Sequence, residues 1–357
     1  MKLGLFMMPF HDAARPVSDL FDEDIDKIVL ADQLGYTEAW VGQHFTATVE
    51  PFASPLMLMS AALPQTKNIM FGTGVINLPC HHPATVAAEI AQFDHMSRGR
   101  LLFGIGPGAL ATDFELFGNT AGWPRLRKML ESVEYIQEIW ASDPPYNFEG
   151  EFYSVKLETS NAELGTGYMQ KPYQQPHPPI ATSLMSSYPG LGAMAGENKW
   201  IPVSANFIPT ASVASHWVKY EEGASKAGYT PDPSTWRVAR NIVVAPTDEE
   251  ARDVAMDPKG GMYMTYDYLW KALSAGGFGN ALKSDPKIPD EDITVEGLVD
   301  DMVIHGSPTT VIEKLKAFQE VTGPFGTLIL ALQDWGHNTE QERASMKLLA
   351  TDVAPHL

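Results

Sequence analysis

The run Met70-Phe71-Gly72-Thr73-Gly74-Val75-Ile76-Asn77-Leu78-Pro79-Cys80-His81-His82-Pro83, followed by Leu101-Leu102-Phe103-Gly104-Ile105-Gly106-Pro107-Gly108, decides how the rest of the chain is read. Two short apolar segments with glycines at their carboxyl ends flank a polar loop and a stretch of helical period that opens at Pro83. Strands this short and this apolar are those of a parallel sheet buried on both faces. Outward from this pair the same alternation recurs. Strand candidates are Lys2 to Met7, Glu38 to Val41, Ile69 to Val75, Leu101 to Ile105, Pro179 to Thr182, Trp200 to Val203, Arg237 to Val244 and Gly326 to Leu330. Helical candidates between them include Leu20 to Leu34, Pro83 to Met96, Arg125 to Trp140, Thr210 to Ala227 and Ser307 to Val321. Eight such units predict an α/β chain folded as a TIM (β/α)8 barrel.

The 357 residues suit one barrel domain, a fold of about 250 residues that grows by insertion. Insertions are expected after strands 4 and 7, at about 143–178 and 257–303, the second holding Gly276-Gly277-Phe278-Gly279. Long insertions of this kind read as lids or oligomer contacts. Ser307 with Pro308, and Pro83, carry helix-start chemistry, with Ser307 expected to cap and proline at the first helical position.

Composition bounds the function. With 44% hydrophobic and 19% charged residues the chain can bury a large core. A net charge of −19 argues against binding nucleic acid or an anionic membrane surface. Cys80 is the sole cysteine, which excludes an intrachain disulfide and multi-cysteine metal sites. The start of the chain carries too short an apolar run for a signal peptide, and no segment of about 18 apolar residues occurs, so a cytoplasmic location is expected.

Barrel chemistry sits where strands end at the carboxyl face. After the second strand comes Gly42-Gln43-His44-Phe45; after the third, Asn77 to Pro83; after the fourth, Gly106-Pro107-Gly108-Ala109-Leu110; after the fifth, Met185-Ser186-Ser187-Tyr188. His44 should point into the mouth, where an imidazole can donate or accept a proton; a purely structural histidine is the competing reading. His81 and His82 are neighbours that diverge, so at most one faces the site. No carboxylate or cysteine stands at ligand spacing beside them, so no metal is expected. Gly104, Gly106 and Gly108 miss the dinucleotide fingerprint because the third glycine falls early and no helix opens directly behind it. They, with Gly72 and Gly74, either admit a flat ligand to the backbone or relieve crowding inside the barrel. Met185 to Tyr188 precede a short helix, Leu191 to Gly196, and can offer amides and hydroxyls to a phosphate, or serve as plain helix caps. Trp40, Trp200 and Trp335 are core or pocket wall.

Taken in order, these segments resemble the bacterial luciferase-like flavin monooxygenases over nearly the whole chain. The resemblance runs from Gly35-Tyr36 and Ala39-Trp40-Val41-Gly42-Gln43-His44-Phe45-Thr46, through Gly72-Thr73-Gly74, Leu78-Pro79, His82-Pro83, Asp94-His95-Met96-Ser97-Arg98-Gly99-Arg100 and Phe103-Gly104-Ile105-Gly106. It ends at Ala344-Ser345-Met346-Lys347-Leu348 and Asp352-Val353-Ala354-Pro355. Phe148-Glu149-Gly150-Glu151-Phe152-Tyr153 and His216-Trp217-Val218-Lys219-Tyr220 look closest to the diketocamphane and limonene monooxygenase branch.

The resemblance implies a barrel that binds reduced FMN non-covalently, supplied by a separate flavin reductase, and reacts it with O2 through a flavin C4a-peroxide. The implied substrate is small and apolar: a terpenoid, cyclic ketone or aldehyde. His44 matches the catalytic histidine. A non-proline cis peptide under the flavin ring maps to Gly74-Val75. The cofactor-binding set becomes Gly74, Val75, Asn77, Gly106 and Leu110 near the ring, and Met185, Ser186, Ser187 and Tyr188 at the phosphate. Gln43, Gly106 and Pro107 depart from luciferase itself and argue against light emission. A homodimer through the helices beside strands two and three, near Pro55-Leu56-Met57-Leu58-Met59, is also implied. Two alternatives stand beside this: a deazaflavin-dependent oxidoreductase, and a noncatalytic flavin-binding protein.

Overall fold

The computed structural model describes the chain except residues 119–123, 276 and 278. Gly276 and Phe278 of the glycine-rich run therefore lie outside the described residues. In chain order the strands are β1 (Lys2–Met7), β2 (Glu38–Val41), β3 (Met70–Thr73), β4 (Ile76–Asn77), β5 (Leu101–Gly106), β6 (Tyr146–Glu149), β7 (Ser154–Leu157), β8 (Ile180–Leu184), β9 (Ile201–Ser204), β10 (Arg237–Val244), β11 (Val303–Gly306) and β12 (Thr327–Ala331). Parallel pairing runs β12-β1-β2-β3-β5-β8-β9, and β10 closes the ring by pairing with both β9 and β12. These eight are the eight expected strands, and the molecule is a TIM barrel. The carboxyl half of the long β10 leaves the ring and pairs with β11.

Side-chain alternation builds the interior. Phe6, Trp40, Met70, Leu102, Ala181, Ile201, Val203, Ala239 and Ile329 point inward and form the barrel's own core. Crowding inside the barrel explains two glycines. A Cβ on Gly72 would lie 2.3 Å from the Trp40 ring, and one on Gly104 would lie 1.7 Å from the Thr73 carbonyl oxygen. Crowding, not ligand access, accounts for both positions. The outward residues pack against the helix layer, where Leu5, Ile28, Phe71, Ile90, Phe103, Ile136, Trp200 and Leu328 belong to the main core.

The expected helices are present as Val17–Gln33, Pro83–Ser97, Pro124–Ala141, Thr210–Lys226 and Pro308–Thr322. Pro83 occupies the first turn, as expected. Ser307 stands at the cap position without capping, a correction to its expected role: its hydroxyl reaches Thr310 Oγ1 (3.3 Å), and Asp248 accepts the Ser307 amide instead (2.7 Å). A second correction concerns the fourth strand. A short helix, Ala111–Leu116, opens just past Gly108.

The described segments of both insertions pack against the carboxyl ends of the barrel strands. Between 143 and 178, β6 and β7 form an antiparallel hairpin whose turn amides, Glu151, Phe152 and Tyr153, donate to Glu131. Tyr153 then donates to the Leu78 carbonyl beside the third barrel strand (3.2 Å). Between 257 and 303, the helix Gly261–Ala275 lies across the ends of β10 and β12. Thr265 donates to Gln333 (2.8 Å), Tyr266 to Asn241 (3.1 Å), and Tyr268 packs on Phe10 with ring centres 4.8 Å apart. A separate apolar cluster around Met262, Tyr266, Leu298, Val299 and Trp335 supports it. Trp40, Trp200 and Trp335 are all buried.

Candidate active site

The carboxyl ends of β2, β3 and β4 gather the first group of site residues. His44 follows β2, and its Nδ1 donates to Glu50 Oε2 at 2.9 Å, with both side chains about 15% exposed. Gln43 is buried beneath it and ties two loops together. Its Oε1 accepts from the Asn77 amide (2.9 Å) and from His81 Nε2 (3.1 Å), while Asn77 Nδ2 donates to the Gln43 carbonyl (3.0 Å). Burial lowers the His81 pKa, which fits a neutral ring donating to Gln43. His82 points elsewhere and uses Nδ1 to cap the helix at Ala84. The two neighbours diverge as the sequence implies.

Buried Asp113, on the helix after β5, accepts from the amides of Phe45 (3.2 Å) and Thr46 (2.9 Å) and from the Thr46 hydroxyl. It fixes the chain just past His44. The Gly74-Val75 peptide is cis, at the bond the resemblance marks. Val75 lies over Gly106: a Cβ there would meet Val75 Cγ2 at 2.5 Å. Leu110 is half-buried at the start of the Asp113 helix. Cys80 is half-buried, and burial raises its thiol to about 11, so it is not a ready nucleophile.

The second group follows β8. Met185, Ser186, Ser187 and Tyr188 are exposed, and Tyr188 adopts a left-handed backbone (φ 47°). The helix Thr210–Lys226 holds this loop from behind. Ser187 Oγ lies 2.7 Å from Ser212 Oγ, the Tyr188 amide donates to Ser215 Oγ (2.8 Å), and His216 Nε2 donates to the Ser186 carbonyl (3.0 Å). Trp236 donates to Ser204 Oγ (2.9 Å), which leaves the Ser204 hydroxyl free to donate to His216 Nδ1 (2.8 Å). This chain fixes the imidazole as the neutral Nε2–H form. Burial lowers it to about 4, against the pull of the Ser186 carbonyl and with help from the Arg240 charge. No side chain caps the helix at Pro209, so its N-terminal dipole faces the exposed Ser187 and Ser212 hydroxyls.

A third feature frames the mouth between β1 and β12. Buried His11 lies 2.9 Å from Asp334 Oδ2 through Nδ1 and 3.0 Å from Asp24 Oδ2 through Nε2. Arg15 also donates to Asp334 (2.9 Å), and Lys27 joins Asp24 to Glu342. Burial opposes charge on His11, but the two aspartates outweigh it and raise the imidazole to about 9. Burial lifts Glu342 to about 7 despite Lys27.

The barrel therefore brings His44, Gly74, Val75, Asn77, Gly106, Leu110 and Met185 to Tyr188 to one face, the carboxyl ends of β2, β4, β5 and β8. Sequence reasoning missed Glu50, Asp113, Ser212 and Ser215, which act from loops and helices with no local signature. Among the described residues no group of carboxylates, histidines and cysteine is arranged to hold a metal ion, and no helix is long and apolar enough to cross a membrane.

The fold and this mouth define a class, and comparison names it: residues 1–323 match the luciferase-like monooxygenase family, and the chain belongs to it as a flavin-dependent monooxygenase. It is 31% identical to limonene 1,2-monooxygenase of Rhodococcus erythropolis over all of this chain and 86% of that one. It is also 31% identical to 3,6-diketocamphane 1,6-monooxygenase of Pseudomonas putida, over all of this chain and 98% of that one. The solved structure of the oxygenating constituent of 3,6-diketocamphane monooxygenase from Pseudomonas putida, a type II Baeyer–Villiger enzyme in complex with FMN, superposes with a TM-score of 0.90. It covers 99% of this chain and 98% of its own, at 30% identity.

Proposed function

We propose that the chain is the oxygenase component of a two-component system that uses reduced FMN and O2 to oxygenate a small apolar substrate. A terpenoid, cyclic ketone or aldehyde is the substrate class this reading favours. The observation that carries it is the pairing, on one barrel face, of His44 with an uncapped helix N-terminus bearing the Ser187 and Ser212 hydroxyls.

The residues present fit FMN. Two exposed hydroxyls at a helix N-terminus suit a phosphate monoester, which needs donors and a positive dipole. Ser186, Ser187, Tyr188 and Met185 would hold that end, and Gly74, Val75, Asn77, Gly106 and Leu110 would border the ring. Reduced FMN, when bound, supplies the two electrons that let one atom of O2 enter the substrate while the other leaves as water. His44 exchanges a proton through Nε2, the ring atom that Glu50 leaves free. Gln43 and Asp113 hold the backbone on either side of that histidine and so keep its aim. Phe45 and Phe117, with ring centres 4.7 Å apart, and Phe10 against Tyr268 give the mouth apolar aromatic walls suited to such a substrate.

A separate flavin reductase would supply the reduced cofactor. The insertions at 143–178 and 257–303 act in this reading as lids that select substrate, on a single domain. A homodimer would use the helix Pro55–Ala62, where Met57 is 77% exposed while Leu58 and Met59 are buried.

Anaerobic titration with reduced FMN, followed by mixing with oxygenated buffer and a cyclic ketone, tests the proposal. Tight binding and an oxygenated product are expected. Binding of a reduced deazaflavin in preference to FMN would replace it with hydride transfer, and binding without any turnover would leave a flavin carrier. His44→Ala should lower turnover by about 10²–10⁴-fold.

A further inference from the structure

We infer that Glu50 is the positioning partner of His44, fixing which ring nitrogen faces the barrel mouth and balancing the charge the imidazole takes on. This rests on the reading that His44 moves the proton.

The loop after β2 is built to bring the two together. His44 N donates to the Phe52 carbonyl (2.9 Å), Phe52 N to the Glu50 carbonyl (2.9 Å), and Glu50 N to the Ala47 carbonyl (3.2 Å). These bonds turn the chain back on itself, so that residue 50 stands beside residue 44 and the side chains meet at 2.9 Å. An ionised carboxylate only accepts, so Nδ1 carries the hydrogen and Nε2 is the atom left to receive a proton or return it. Once Nε2 is protonated the ring is a cation. The Glu50 carboxylate lies against it at 2.9 Å.

Other ionisable groups surround the pair from separate elements. Asp113, on the helix Ala111–Leu116, is occupied by the Phe45 and Thr46 amides. His81 is bound to Gln43. Tyr268, on the insertion helix, sits near enough to Glu50 for burial and that charge to raise its phenol. Among the described residues, Glu50 is the one that hydrogen-bonds the His44 ring. Through Tyr268 the insertion reaches the same carboxylate, so the helix that walls the mouth also borders this pair.

Glu50→Gln separates the roles, because it keeps an oxygen acceptor and removes the charge. Nitrogen-15 NMR of the FMN-free protein should show the His44 ring hydrogen held on Nδ1, and Glu50→Ala should lose that preference. In Glu50→Gln, turnover with reduced FMN should fall about tenfold while the FMN dissociation constant changes less than about twofold. In a His44→Ala background, Glu50→Gln should cost nothing further.

A His44 tautomer unchanged by Glu50→Ala, or an equal loss of turnover with and without His44, overturns the inference and leaves Glu50 a loop staple. If His44→Ala alone turns over at the wild-type rate, the proton-transfer reading itself fails. The His44 tautomer seen by NMR then still reports whether the pair exists.

Discussion

His11 and His216 are both fully buried near the carboxyl end of the barrel, and the protein holds one charged and the other neutral. His11, between β1 and β12, meets two aspartates and is raised to about 9. His216, behind the loop after β8, meets a serine hydroxyl, a carbonyl and the field of Arg240, and is lowered to about 4. Burial acts alike on both; the neighbours decide. One side of the mouth is clamped by paired charges. The other is held by neutral hydrogen bonds that keep negative charge away from the exposed serines, as a phosphate site requires.

The largest break in this comparison comes from His11→Ala. It leaves Asp24 and Asp334 buried and facing each other, so unfolding in urea at pH 7 should show a loss of about 3–5 kcal/mol. A loss below about 1 kcal/mol would mean that Arg15 and Lys27 suffice without the imidazole. His216→Ala strands the Ser186 carbonyl and the Ser204 hydroxyl, and should cost about 1–3 kcal/mol by the same measurement. It should also weaken reduced-FMN binding by loosening the serine loop, whereas His11→Ala, measured where it remains folded, should leave that binding nearly intact.

The pH dependence of stability sharpens the contrast further. His11 is raised when folded, so its contribution is complete below about 6.5 and is lost as pH rises through about 9. Glu342, lifted to about 7 by burial, loses its contribution earlier, as pH rises from about 4.5 through about 7. His216 is lowered, so its contribution is complete above about 6.5 and is lost as pH falls toward about 4. Chemical denaturation across this range should show His11→Asn flattening the alkaline limb and His216→Asn the acid limb. Each slope is limited to about 1.4 kcal/mol per pH unit per group. The reverse assignment of limbs would invert the account.

The fold was legible because barrel strands announce themselves locally. Leu3 to Leu5 and Leu101 to Ile105 are buried on both faces, and that demands continuous apolar residues. His44 and Ser186 were legible for the same reason: strand ends place them at the mouth whatever the loops do. Glu50 and Asp113 were not, since each depends on how a loop or a one-turn helix folds back, and no periodic pattern encodes that. Ser307 misled because Asp248, distant in sequence, accepts from its amide and from Thr310, and the Ser307 hydroxyl donates to Thr310 Oγ1 in place of capping. Gly72 and Gly104 were ambiguous until Trp40 and the Thr73 carbonyl were seen to occupy the space beside them.

The central claim is that one flavin spans from His44 to the serine loop, and a crystal structure of the chain with bound FMN tests it most directly. The account expects the phosphate within hydrogen-bonding distance of the Ser187 and Ser212 hydroxyls and the ring beside Val75, with His44 Nε2 facing it. A phosphate seated away from those serines, or a ring on the other side of the barrel from His44, would contradict it.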